Sequence, residues 1–291
     1  VQRFHRLMIA ALPPLAAEPI FAIGQLPITN SYINSTLTMI GFVIFAFFIN
    51  RAVKAYKNGA PRGLLNFFES ILEVLYQYFD TVTQSRKKTI QFLPLVGTLF
   101  FFILVSNWLG LFPGIGSIGR YLVHGGEILL VPLFRPATTD LNMTVAMALI
   151  AVTVSHFLGI FVIGFFKYFN KFVKVGDLWH AVKSFSPMAI LVAIIEFFVG
   201  ILEIISEVAK LFSLSLRLFG NIFAGEVLLT VLASILPYLL PLPFIGLEII
   251  VAIVQATVFA MLTLVYLTVA TTEVASHHSD HPEDLEPTPT V

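Results

Sequence analysis

The chain has 291 residues, 57% of them hydrophobic and 12% charged, with 17 basic and 17 acidic side chains that balance to a formal charge of zero. So little polar surface excludes a soluble protein of this size, and the absence of net charge supplies no global field for nucleic acid. No cysteine is present, which excludes disulfides, thiolate metal sites and cysteine nucleophiles. The long apolar runs differ from the alternating segments of a membrane barrel. They predict an all-α, multi-pass membrane protein with no sheet.

Residues 1–33 form an outer segment. Arg3, His5 and Arg6 precede an apolar run that ends near Ala16-Ala17, a pattern similar to a short signal peptide although two prolines interrupt its core. Removal and retention of this segment are both open. A single membrane domain is expected over 34–275, with spans at about 34–50, 92–112, 141–166, 188–236 and 245–270. Between the first two spans, residues 64–84 place Asn66, Glu69, Glu73, Gln77 and Asp80 at helical spacing opposite Phe67, Phe68, Leu72, Leu75 and Phe79. This predicts an amphipathic helix lying in the membrane interface.

Basic residues cluster at Arg51, Lys54, Lys57 and Arg62, at Arg86, Lys87 and Lys88, and at Lys167, Lys171, Lys174 and Lys183, whereas the 113–140 loop holds only Arg120 and Arg135. The positive-inside rule puts the clusters and the C-terminus in the cytoplasm, or in the matrix of a mitochondrion, and the 113–140 loop outside. The tail, 276–291, turns to His, Asp, Glu and Pro and is expected to be solvated and disordered. Its His277, His278 and His281 are a compositional feature from which no metal or cofactor is expected.

The stretch 188–236 is about twice as long as a perpendicular span requires, so it either breaks near Gly200 or Gly220 or lies steeply tilted. Pro237, Pro241 and Pro243 then reverse the chain, and 245–270 returns as the second arm of a long C-terminal helical hairpin. Glu196, Glu203, Lys210 and Arg217 recur every seven residues along one stripe, with Glu207 and Asn221 on the intervening steps. Glu226 lies nine residues beyond Arg217 on another face, and Glu248 and Gln255 share a face of the return arm. An arginine at membrane depth marks an ion path or a counter-ion, because an always-charged guanidinium is costly there.

Each of these residues also has a plainer reading. Glu203 or Glu207 can simply pair with Lys210, and Glu226 and Glu248 can bond each other across the hairpin. Arg217 can be a buried pair or a snorkelling side chain. His156, inside the third span, is either a satisfied interior histidine or a proton relay. Asp140 and Asn142 can be the cap of that span.

The run Ser213-Leu-Ser-Leu-Arg217-Leu-Phe-Gly-Asn221-Ile-Phe-Ala-Gly-Glu226, followed by Gln255-Ala-Thr-Val-Phe-Ala-Met-Leu-Thr-Leu-Val-Tyr266-Leu, closely resembles subunit a of the F-type rotary ATP synthase. The resemblance extends upstream to Pro136-Ala-Thr-Thr-Asp140-Leu-Asn142-Met-Thr144 and Ser106-Asn-Trp-Leu-Gly-Leu-Phe-Pro113, covering about residues 30–272. It is similar to the bacterial type, since mitochondrial relatives tend to carry His where Glu226 stands.

The resemblance implies a non-catalytic stator in the bacterial plasma membrane or, alternatively, the mitochondrial inner membrane. Its implied partners are a ring of c subunits, a b-subunit peripheral stalk, the remaining ATP synthase subunits and lipid. Arg217 matches the stator arginine, Asn221 and Gln255 its polar neighbours, and Glu226 an outer-channel carboxylate. Glu248 stands where His is frequent when the Glu226 position is Glu, which leaves open which of the two relays. Asp140 and Asn142 resemble the outer entrance, with His156 a possible relay beyond it, and Glu203 and Glu196 resemble the inner access path. The rival reading is a proton-coupled secondary transporter, which predicts internal repeats that the two halves do not show. ATP chemistry on this chain itself would need a phosphate-cradling loop, and no Walker-type motif is present.

Overall fold

The computed structural model describes residues 17–24, 26–55, 63–112, 118–124, 127–165, 168, 187–236 and 239–276. The signal-like start, the histidine-bearing tail beyond Ser276 and the basic residues Lys57, Arg62, Lys167, Lys171, Lys174 and Lys183 lie outside them. The described chain is an all-α, multi-pass membrane protein whose helices are α1 (Asn30–Ala55), α2 (Leu64–Thr83), α3 (Arg86–Leu111), α4 (Leu141–Ile163), α5 (Pro187–Ile235) and α6 (Pro241–Ser276). By length and composition α1, α3, α4 and α6 can each cross a membrane.

The expectation of no sheet needs one correction. Two antiparallel hairpins lie outside the helices, β1 (Pro19–Ile23) with β2 (Leu26–Thr29) and β3 (Gly119–His124) with β4 (Glu127–Pro132). The sequence of the second explains it: Tyr121-Leu-Val and Ile128-Leu-Leu-Val are strand-forming runs separated by His124-Gly-Gly-Glu127. Helix α5, 49 residues long, continues through Gly200 and Gly220, so neither glycine breaks it. Neither adopts the left-handed backbone that ends a helix.

Two compact units divide the chain, one of Val1–Ala148 with Phe212–Leu262 and one of Leu149–Leu211 with Thr263–Val291. In the first, α2 packs on α3. Its interior holds Phe79, Phe92, Val96, Phe100 and Ile103. The α2–α3 corner turns at Gln84, whose φ of 50° is left-handed, and is fastened by the Thr89 hydroxyl donating to Asp80 at 2.8 Å. Arg86 lies over the Tyr76 ring at 5.7 Å. On α2, Leu75 and Phe79 are buried while Phe67 and Leu72 remain exposed.

The same unit contains the loop that matters most for the site. Polar residues at the start of α1 are buried because they serve as its anchors. Asn34 Nδ2 donates to the carbonyls of Ser106, at 3.3 Å, and Arg135, at 2.9 Å. Ser106 Oγ accepts from the Ala137 amide at 3.3 Å, and Thr138 donates to Asn107. Gly110 sits against the Pro136 ring with no room for a Cβ. The sequence motifs around Ser106-Asn107 and Pro136–Asp140 are therefore two halves of one packing arrangement, which holds a short 3-10 turn, Ala137–Thr139, at the entry to α4.

This contact is directly testable. Gly110→Ala is expected to destabilise the protein by about 1–3 kcal/mol, the usual cost of overpacking. Gly97→Ala in the same helix is expected to be tolerated, because its Cβ would meet nothing closer than Leu93 at 4.0 Å. Thermal denaturation of the purified protein in detergent checks both, and equal midpoints for the two variants would contradict the packing described.

Candidate functional site

Arg135, two residues before the anchored turn, is 2% exposed and grips Glu226 of α5, itself 21% exposed. Arg135 Nε donates to Oε1 at 2.9 Å and to Oε2 at 3.1 Å, and Nη2 donates to Oε2 at 2.9 Å. A planar fork spanning both carboxylate oxygens is the strongest pairing these groups can make. The guanidinium also lies 6.0 Å from the centre of the Phe223 ring, nearly one helical turn before Glu226. With its carbonyl held by Asn34, Arg135 is fixed at the main chain as well as at the side chain. Thr139 on the anchored turn is a further hydroxyl acting on Glu226, and Glu18 of the N-terminal segment is the other nearby charge.

Asp140, 7% exposed, accepts from the Asn142 amide at 3.0 Å and so acts as the N-cap of α4. Asn142 itself is exposed. Glu248 of α6 lies elsewhere in the same unit. It is 8% exposed, and its Oε1 makes no hydrogen bond among the described residues. Its carboxylate is pressed against Gly225, where any Cβ would collide with it. The two glutamates therefore do not bond each other across the hairpin: Glu226 turns to Arg135, and Glu248 fills the gap at Gly225.

Farther along the same pair of helices, Asn221 Nδ2 donates to Gln255 Oε1 at 2.6 Å. One turn before Asn221, Arg217 is exposed, and its nearest polar partner is Ser213 Oγ at 3.4 Å. Among the described residues no carboxylate lies within ion-pairing distance of it. Phe212 and Leu216, on the same stretch of α5, are exposed apolar side chains. Arg217 is thus exposed, and among the described residues it has no ion-pair partner.

The second unit contains a separate polar cluster. His156 Nδ1 lies 2.5 Å from the Tyr168 hydroxyl, and its Nε2 is 3.6 Å from Glu207 Oε2. Glu207 Oε1 accepts from Lys210 Nζ at 2.7 Å, and that ammonium lies 5.3 Å from the centre of the Tyr266 ring. Gly159 provides the clearance for Tyr168. His156 is therefore brought to Glu207 and Lys210, and of the two acids considered for pairing with Lys210 the observed partner is Glu207. Glu203 and Glu196 are half-buried on the same stretch of α5. Among the described residues no group of three or more metal-ligating side chains converges.

The protein-family model described as ATP synthase A chain matches residues 34–268. The chain belongs to that family. It is 34% identical over 207 residues to ATP synthase subunit a of Campylobacter curvus (strain 525.92), covering 71% of this chain and 76% of the relative. It is 31% identical over 248 residues to ATP synthase subunit a of Moorella thermoacetica (strain ATCC 39073 / JCM 9320), covering 85% and 93%. The family match contains every candidate residue described above, from Arg135 to Gln255.

In this family member Arg135 is the residue that sequence reasoning missed, because it registered only as one of two basic residues in the outer loop. A signal was nevertheless present. An acid at membrane depth requires a partner, and Arg135 immediately precedes the Pro136–Asp140 motif in a loop otherwise almost without cations.

A double-mutant cycle measures this pair. Arg135→Met or Glu226→Met alone leaves a charge stranded and is expected to cost about 3–5 kcal/mol. The double variant is expected to lose much less than the sum. Thermal denaturation of the detergent-solubilised protein provides the readout, and additive losses would show that the two side chains are not coupled.

Proposed function

We propose that this chain is the stator subunit of the membrane sector of a proton-driven ATP synthase in a bacterial plasma membrane, non-catalytic by itself, with its C-terminus in the cytoplasm. Its partners are a rotating ring of c subunits, the b-subunit peripheral stalk and the rest of the complex. The observation that carries this reading is the state of Arg217. A guanidinium midway along an apolar helix, exposed and without a carboxylate partner among the described residues, supports a partner acid on a neighbouring subunit.

The electrostatics give that contact its role. At about 4 Å and an effective dielectric near 20, an arginine favours an ionised partner carboxylate by roughly 4 kcal/mol. A protonated ring carboxylate reaching Arg217 is driven to release its proton, and the arginine, which does not give up its own, transmits none. Protons then cross by riding the ring between two offset half-channels. Asp140, Asn142, Glu226 and Glu248 belong to the outer one. Glu203 and Glu196 belong to the inner one, and the contact of His156 with Glu207 favours the inner path for this histidine as well. Asn221 and Gln255, bonded to each other, brace the two arms beside Arg217.

Arg217→Ala is expected to abolish ATP synthesis driven by a proton gradient in membrane vesicles while leaving the assembled complex intact on a native gel. Undiminished synthesis would remove the basis of the proposal. ATP-driven pumping measured with and without sodium is expected to be sodium-independent, which identifies the coupled ion as H⁺.

A further inference from the structure

We infer that Arg135 is a positioning residue that assigns different tasks to the two outer-side glutamates: it clamps Glu226 as a fixed anion, so that Glu248 is the carboxylate that receives and passes on the proton. This inference rests on the outer half-channel of the proposed function and deepens it. Three observations lead to it. Both oxygens of Glu226 are occupied by guanidinium N–H donors at 2.9 to 3.1 Å. A proton arriving on Glu226 cancels the charge that pairs with the guanidinium, in a site where that guanidinium is itself almost fully buried.

The clamp also has little freedom to move aside. The Arg135 carbonyl is held by Asn34, and the chain that follows is pinned by Ser106, Asn107 and the close contact of Pro136 with Gly110. Glu226 therefore cannot release its partner by a simple loop movement.

Glu248 is the opposite case. Its Oε1 has no hydrogen-bond partner among the described residues, and no charged side chain there acts on it. Gly225 gives its carboxylate a seat directly against the α5 backbone, one helical turn beyond Asn221. A carboxylate with no cation bound to it can accept a proton and donate the same proton to the ionised ring carboxylate, returning to its starting state. Protonating Glu226 would instead strand the nearly buried Arg135 guanidinium without its counter-charge, which opposes the same step there. The positive charge of Arg135, cancelled by Glu226, then presents no barrier to protons entering past Asp140.

The test uses vesicles that hold the whole complex, with ATP-driven pumping and passive proton conduction measured from acid to alkaline pH. Glu248→Gln is expected to lower conduction roughly a hundredfold or more, the loss of a proton-transferring group. Glu226→Gln, which still offers Arg135 an acceptor oxygen, is expected to lower it by less than about tenfold. Arg135→Gln frees Glu226 to titrate, so the pH profile of conduction is expected to gain a second step. Arg135→Lys restores a cation and is expected to return a profile close to that of the unaltered protein.

The reverse ranking of the two glutamate variants, or equal losses from both, overturns the assignment. So does an Arg135→Gln profile with its shape unchanged. Native-gel quantification normalises each variant to assembled complex, so a folding defect is not read as a transport defect. Arg217→Ala, run in parallel, separates the two levels: coupled synthesis in that variant defeats the underlying function, whereas its loss together with a reversed glutamate ranking defeats only the role given to Arg135.

Discussion

A guanidinium in apolar surroundings needs an anion, and the fold follows from where each of two arginines finds one. Arg135 finds Glu226 within the chain, through three donor–acceptor contacts of 2.9 to 3.1 Å. Holding that pair requires the loop before α4 to be brought onto α5. The buried polar residues of α1 and α3 do this by satisfying the loop's backbone groups. Without those anchors a loop rich in backbone polar groups would not be stable beside apolar helices. Arg217 has no such partner among the described residues and stands on exposed surface.

The contrast between paired and unpaired charge organises the remaining polar residues. Asp140 caps α4, Asn221 and Gln255 are bonded to each other, and Lys210 is engaged by Glu207. Among the described charged side chains, Arg217 on the exposed face of α5 has no carboxylate partner, and Glu248, wedged at Gly225, has an oxygen without a hydrogen bond. In a membrane, polar groups without an internal partner are costly. Their persistence at these two positions is what directs attention to proton exchange with another subunit. In the second unit His156, Glu207 and Lys210 form a network, with Glu207 between the other two.

Glycine and proline set the close approaches that side-chain chemistry alone would not produce. Gly110 admits the Pro136 ring, Gly225 admits the Glu248 carboxylate and Gly159 admits Tyr168. In each case a methyl group would occupy the space of the partner. Small residues are a general means of close packing between membrane helices. Here one of the three, at Gly225, brings a functional candidate, Glu248, against a helix backbone.

The sequence by itself determined the all-α membrane class, the long C-terminal hairpin and the Arg217 motif. Apolar run length and the energetic cost of a buried charge are local properties, legible residue by residue. The family resemblance followed from the same run. The pairing of charges is not local. Seven-residue spacing placed Glu203, Lys210 and Arg217 on one stripe, yet Lys210 is bonded to Glu207, three residues away. Arg135 and Glu226 are separated by 91 positions, and nothing in either segment encodes which cation reaches which anion. Only the tertiary structure decided that, because the choice depends on a loop held by Asn34, Ser106 and Asn107 from two other helices. It likewise decided that Glu226 and Glu248, equivalent as letters, occupy different environments: one carboxylate held at both oxygens, the other with an oxygen left free.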